Sequence, residues 1–198
     1  MSGFLISLAI IAIVGFGGVA IYNGLVAARN AFRNAFSQID VQLQRRFDLI
    51  PNLVEIAKTC MSHERETLEA VIAARSAAQA GLAAAKANPG DAVAMARLAA
   101  AQEKLNAGLS RLLMVAAAYP DLKANQAMMQ FTEELTSTDN NVAHARQAFN
   151  DSVMAYNHRR EVFPSSIFAG MFNFAAATPL AIPVEQQAQV RAAPKMQS

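Results

Sequence analysis

The first charged side chain in this sequence of 198 residues is Arg29, so every Lys, Arg, Asp and Glu lies downstream of Met1–Ala28. That distribution argues against a simple soluble globule and for a hydrophobic N-terminal segment attached to an ordinary charged domain. Within that segment, Phe4 to Ile21 (FLISLAIIAIVGFGGVAI) is continuously uncharged, and roughly 20 apolar residues in a helix cross a bilayer. Gly15, Gly17 and Gly18 weaken a water-exposed helix but are common in membrane spans. A cleaved signal peptide would begin with Lys or Arg before the apolar run. Only Met1, Ser2 and Gly3 precede it, so residues 1–28 are expected to be an uncleaved transmembrane anchor. Arg29, Arg33, Arg45 and Arg46 follow closely, which by the positive-inside rule sets the N-terminus outside and the rest in the cytoplasm. Tyr22 and Arg29 are placed for the membrane–water interface.

The remaining residues have an ordinary charge content. A formal net charge of +2 is too small for the clustered basic face of a nucleic-acid binder. A single cysteine, Cys60, rules out an internal disulfide framework. Strand-type alternation is absent and alanine abounds, so the expected class is all-α.

Apolar positions recur at steps of three and four in four segments. The first continues through Phe32, Phe36, Ile39 and Leu43. The second runs Val54, Ala57, Met61, Glu64, Leu68, Val71, Arg75, Ala78, Leu82. Leu98, Leu105 and Leu112 mark the third, and Met128, Leu135, Val142, Phe149 and Tyr156 the fourth. Turn signals separate them at Asp48–Pro51, at Asn88-Pro89-Gly90-Asp91 and at Tyr119-Pro120-Asp121. The pattern predicts a transmembrane helix followed by an antiparallel up-and-down bundle of four long helices over 29–162.

Pro51 leaves one ambiguity. As a turn it gives a first helix of roughly 30 Å beyond Arg29 beside a second of roughly 55 Å, which overshoots the membrane unless it bends. As a kink it leaves one very long helix and reverses which end of the bundle residues 163–177 reach. The turn is the working expectation, because Asp48 and Pro51 suit a helix start. In residues 163–177, Phe163-Pro164-Ser165-Ser166 breaks the helix and Ile167, Phe168, Met171, Phe172 and Phe174 form a second apolar cluster, and 178–198, with Pro179, Pro183 and Pro194, are expected to be a disordered tail.

Specific strings accompany this pattern: YNGLVAARN (22–30), IDVQLQRRFDLIPNLVEIAK (39–58) with His63-Glu64, AYPDLKAN (118–125), ARQAFNDSV (145–153) and YNHRREVFPSSIFAGMFNF (156–174). Together, in this order, they resemble the LemA family of bacterial membrane-anchored helical proteins. The resemblance implies a short extracytoplasmic N-terminus, one span of the cytoplasmic (inner) membrane and a helical bundle, with no established catalysis. It also suggests TPM-domain or HtpX-type membrane proteases as partners, because their genes are often neighbours. Thr59-Cys60-Met61 replaces the family's usual Gly-Tyr-Ala-type run, and Ala117 stands where an acidic residue is common.

The charges that matter most lie on or near the apolar stripes. Glu64 and Arg75, eleven residues apart on one helical face, need partners if buried. Arg45, Arg46 or Arg146 would serve Glu64, and Asp40, Asp48 or Asp151 would serve Arg75. Arg45 and Arg46 stand about 25 Å or more from the membrane on a straight helix, too far for lipid, and pairing with Asp40 and Asp48 is expected. Asp40, Arg45, Arg46, Asp48, Glu64 and Arg75 thus form a structural polar cluster that fixes bundle register. Cys60 and His63 lack a third orienting group for nucleophilic catalysis. The three histidines lack metal-site spacing, so neither metal nor cofactor is expected. Phe168, Met171, Phe172 and Phe174 would meet the bilayer as an interfacial anchor if the fourth helix returns towards it. The expected function is a non-enzymatic, membrane-anchored scaffold or adaptor, self-associating through alanine-rich faces. The alternative is a ligand-binding module or an accessory subunit of a membrane proteolysis or quality-control assembly.

Overall fold

The computed structural model describes residues 2–61 and 63–181, with the side chains of residues 2, 4, 6, 9–14 and 123 outside that description. All regular structure among the described residues is helical. The elements are α1 (Ser2–Cys60), α2 (Arg65–Ala87), α3 (Ala92–Ala116), α4 (Pro120–Lys123), α5 (Gln126–Glu161) and α6 (Ser165–Met171). α1 packs along α5, α2 along α3, and α2 against α1.

The second helix does not begin at Pro51. α1 runs through this proline to Cys60, and the chain reverses between the end of α1 and the start of α2 at Arg65 instead. An interior proline withholds its N–H from the carbonyl four residues earlier and costs about 3 kcal/mol or more. Here that carbonyl belongs to Phe47, and Arg75 Nε of α2 donates to it at 2.6 Å. The buried seam Leu43, Phe47, Ile50, Leu53, Val54, Ala57 and Met61 passes through the proline in unbroken phase. Burying those side chains along one face outweighs the local propensity.

Moving the reversal to the end of α1 resolves the length conflict. Residues 25–60 and the 36-residue α5 both measure about 54 Å. The α2–α3 hairpin is shorter, with 23 and 25 residues. Asp91 caps α3 by accepting from the Ala94 amide at 2.9 Å. At the start of α5 the cap is Asn125, accepting from Met128 N at 3.1 Å, and the turn signal at Tyr119-Pro120-Asp121 opens the one-turn α4 instead.

Because the hairpin turns at Gly90, neither α2 nor α3 covers the start of α1 and the end of α5, and α6 with the segment after it fills that place. Two asparagines seven residues apart on α5 hold the extended chain. Asn157 exchanges two hydrogen bonds with the backbone of Ala177, at 2.7 and 3.0 Å. Asn150 does the same with Leu180, at 3.0 and 2.8 Å. Seven helical residues advance about 10 Å and three extended residues advance about the same, so the two spacings match. Tyr156 Oη donates to Ala175 O, and Thr178 N donates to Gly90 O, each at 2.8 Å. The expected loose tail is therefore fastened as far as Leu180, itself buried. Residues 182–198 of that expected tail lie outside the described residues.

Candidate functional site

Two places gather the side chains singled out above. The first is the lower end of the bundle. α5 runs antiparallel to the upper part of α1, so α6 arrives beside residues 18–29 of α1. Pro51 lies inside one long helix, as the kink reading has it, yet because the chain reverses after Cys60 the cluster reaches the end that the turn reading gives it. Tyr22 meets the rings of Phe172 and Phe174 edge-on, with centroids 5.0 and 5.7 Å apart. Arg29 lies over the Phe174 ring, 5.1 Å from its centroid, a cation–π contact. Two glycines allow the close approach. A Cβ on Gly18 would stand 3.0 Å from the Phe168 ring, and one on Gly24 would stand 3.1 Å from the Arg159 guanidinium.

Tyr22, Arg29, Phe168, Met171, Phe172 and Phe174 therefore share one end of the molecule. Their exposures differ. Phe174 is buried in the core and Phe168 is partly covered, whereas Phe163 is 81% and Met171 68% exposed, and Ile167 and Phe172 each about half. Phe16 and Val19 on α1 are open as well. Among the described residues, no helix is long and apolar enough to cross a membrane. The expected span includes the side chains of Phe4, Ile6 and residues 9–14, which lie outside the described residues.

The second place is midway along the bundle. Arg46 of α1 is almost wholly buried and reaches both neighbouring helices. Its Nη1 and Nη2 donate to Gln102 Oε1 at 3.2 Å and Asn106 Oδ1 at 2.7 Å on α3. Its Nε stands 2.9 Å from Asp139 Oδ1 on α5, an ion pair whose N–H is not aligned on the oxygen. Arg146, one helical face along from Asp139, is buried beside them. Burial pushes both guanidinium groups below their ordinary range and the Asp139 carboxyl above its own; the two cations oppose each other, and each is drawn back by the carboxylate.

The expected polar cluster is thus only partly assembled. Asp40 meets Lys86 Nζ at 2.6 Å and accepts from Gln44 Nε2 at 3.2 Å. Lys86 is mostly solvated, so the pair contributes little. Arg45 and Asp48 face outward, with no ion pair among the described residues. Glu64 is the N-cap residue of α2, and among the described residues no ion pair joins it to Arg75. Arg75 finds a backbone carbonyl in place of a carboxylate. Asp139, Gln102 and Asn106 were not singled out in the sequence, since each is a polar residue within an apolar 3-4 stripe or at its margin. Among the described residues, no three His, Cys, Asp or Glu side chains come together as a metal group.

The helical architecture and the position of the Ile39–Lys58 string on α1 agree with a comparison against known families, in which the LemA family model matches residues 35–197. The chain belongs to the LemA family. No curated protein sequence matches it. Membership carries the fold and the motif strings; it assigns no reaction.

Proposed function

We propose that this LemA-family protein is a non-enzymatic, membrane-anchored scaffold of the bacterial cell envelope, held at the inner membrane by the N-terminal part of α1. The observation that carries this reading is the grouping of Phe16, Val19, Phe163, Ile167, Met171 and Phe172, all exposed, at the end where the charge-free segment enters the bundle. Contact between Phe168 and Gly18 sets α6 level with the last turn of Phe4–Ile21. If that segment crosses the bilayer with its N-terminus outside, the open faces of α6 lie at the acyl–headgroup boundary, where they lose water at no structural cost. The bundle then stands about 50 Å into the cytoplasm.

The scaffold part of the proposal rests on the bundle's outer faces. Val41, Ile72, Val93, Met114 and Met154 are exposed, giving helix surfaces suited to a second copy or a membrane protease subunit. Photo-crosslinking from positions 72, 93 and 114 in living cells tests it. Capture of the same chain or of a discrete membrane protein supports a scaffold, and no adduct from any of the three positions contradicts it. Carbonate extraction tests the anchor: release of the full chain into the soluble fraction would refute it.

A further inference from the structure

A cleft at the lower end of the bundle is walled by α1, by the Asn88–Asp91 turn and by the extended strap after α6. It has a volume of about 410 Å³ and is lined by Arg29, Arg33, Asn88, Asp91, Tyr156 and Asn173 among others. Arg29 and Arg33 stand one turn apart on α1, and both line this opening. Arg29 Nε is buried without a hydrogen-bond acceptor among the described residues. Arg33 is exposed and enters no ion pair among the described residues. Against these two cations, Asp91 is the one carboxylate in the described lining, and its Oδ1 is engaged by the Ala94 amide. The start of α3 at Ala92 opens on the same cleft and adds the positive end of a helix dipole.

We propose that this cleft binds a phosphate group at the membrane surface, between Arg29 and Arg33. Its walls are fixed before a ligand arrives. Thr178 N donates to Gly90 O at 2.8 Å, and a Cβ on Gly90 would stand 3.0 Å from Ala177 and 3.2 Å from Phe32. Tyr156 and Asn157 hold the strap from α5. Two guanidinium groups complement the several oxygens of a phosphate. Height along α1 favours a lipid as its source. Arg29 lies eight residues past Ile21, about 12 Å along the helix, and a helical side chain leans back towards the N-terminus. Its guanidinium then reaches the headgroup layer, a placement that rests on the proposed anchor. A free phosphate from solution is the second source of the same chemistry.

The test is calorimetric titration of the full chain in detergent micelles with dihexanoyl phosphatidic acid and with inorganic phosphate. Dihexanoyl phosphatidylcholine and chloride at matched ionic strength are the controls. The wild type is compared with Arg33→Gln, Asp91→Asn and Arg111→Gln. Saturable binding of phosphatidic acid, tighter than that of inorganic phosphate, supports a lipid. Inorganic phosphate binding at least as tightly supports a free phosphate. For either ligand, Arg33→Gln should weaken binding about fivefold. Asp91→Asn should tighten it by about as much, because asparagine keeps the cap of α3 and removes the opposing charge. A gain of binding is not produced by misfolding. Arg111→Gln removes the same charge from an exposed position far along α3 and should change nothing. The proposal is overturned if neither phosphate compound binds beyond its control, or if Arg33→Gln weakens binding no more than Arg111→Gln does. Binding in micelles needs no bilayer span, so the two proposals fail separately. Carbonate release with binding intact would refute the anchor alone, and membrane retention without binding would refute the cleft alone.

Discussion

Arg75 gives Phe47 the hydrogen bond that Pro51 withholds. The Nε–O distance is 2.6 Å, and the carbonyl concerned is the one four residues before the proline. A proline inside a 59-residue helix, nine residues from its end, is thus tolerated through a side chain from the next helix, which also ties α2 to α1.

Coupling follows. Arg75→Met should destabilise the bundle by about 1.5–3 kcal/mol, since a charged donor to a buried carbonyl is lost. In a Pro51→Ala background the backbone N–H restored at position 51 serves the same carbonyl, and the cost of Arg75→Met should fall by about 1 kcal/mol or more. A double-mutant cycle by urea unfolding measures this. Additive effects would mean that the arginine and the proline are unrelated.

The asparagine pair gives a local prediction. Asn157→Ala or Asn150→Ala should cost about 1–2 kcal/mol, because each removes two hydrogen bonds to partly buried backbone. Hydrogen exchange should report the change at the Ala177 and Leu180 amides, with the mid-helix amides of α2 and α3 unaffected.

Much of this was readable in the sequence, for a physical reason. The seam residues of α1 and α5 keep a 3-4 spacing because each helix buries one stripe, and the stripe is visible wherever the side chains are large. Phe32, Phe36, Phe149 and Tyr156 meet in space as that spacing implies, with centroid distances of 5.1 to 6.3 Å. The reversal between α1 and α2 left no such trace. It contains neither proline nor glycine, and Ala57, Met61 and Leu68 keep the stripe in phase on both sides of it. Pro51 gave the opposite impression, since the compensating donor lies 28 residues away from the carbonyl it serves. The strap was equally hidden, because its backbone is paired with asparagine side chains and its own side chains need no alternation. Of the polar residues, Arg46 stood out beside Arg45, but Asp139 could not be matched to it without knowing how α1 and α5 align.

The aromatic centre of the bundle should dominate stability. Phe149, fully buried, packs edge-on against Phe36 and Phe32. Phe149→Ala should cost about 3–5 kcal/mol, and Ile72→Ala, half exposed on α2, within about 0.5 kcal/mol. Chemical denaturation of the two variants in one detergent compares them directly.

At the lower end, Gly18→Leu should displace α6. A Cβ there meets the Phe168 ring at 3.0 Å, and a full leucine needs the room that ring occupies. Faster proteolysis around residues 163–172, with unchanged helicity of the rest, is the expected result.

The most direct test of the membrane account is depth. In a Cys60→Ser background, a bimane probe at Met171→Cys and another at His63→Cys, in the full chain reconstituted into vesicles, are each exposed to lipid-borne nitroxide and to aqueous iodide. The account predicts quenching by shallow lipid nitroxides at position 171 and by iodide alone at position 63, at the far end of α1. Iodide quenching at both positions, with no lipid effect at 171, would contradict it.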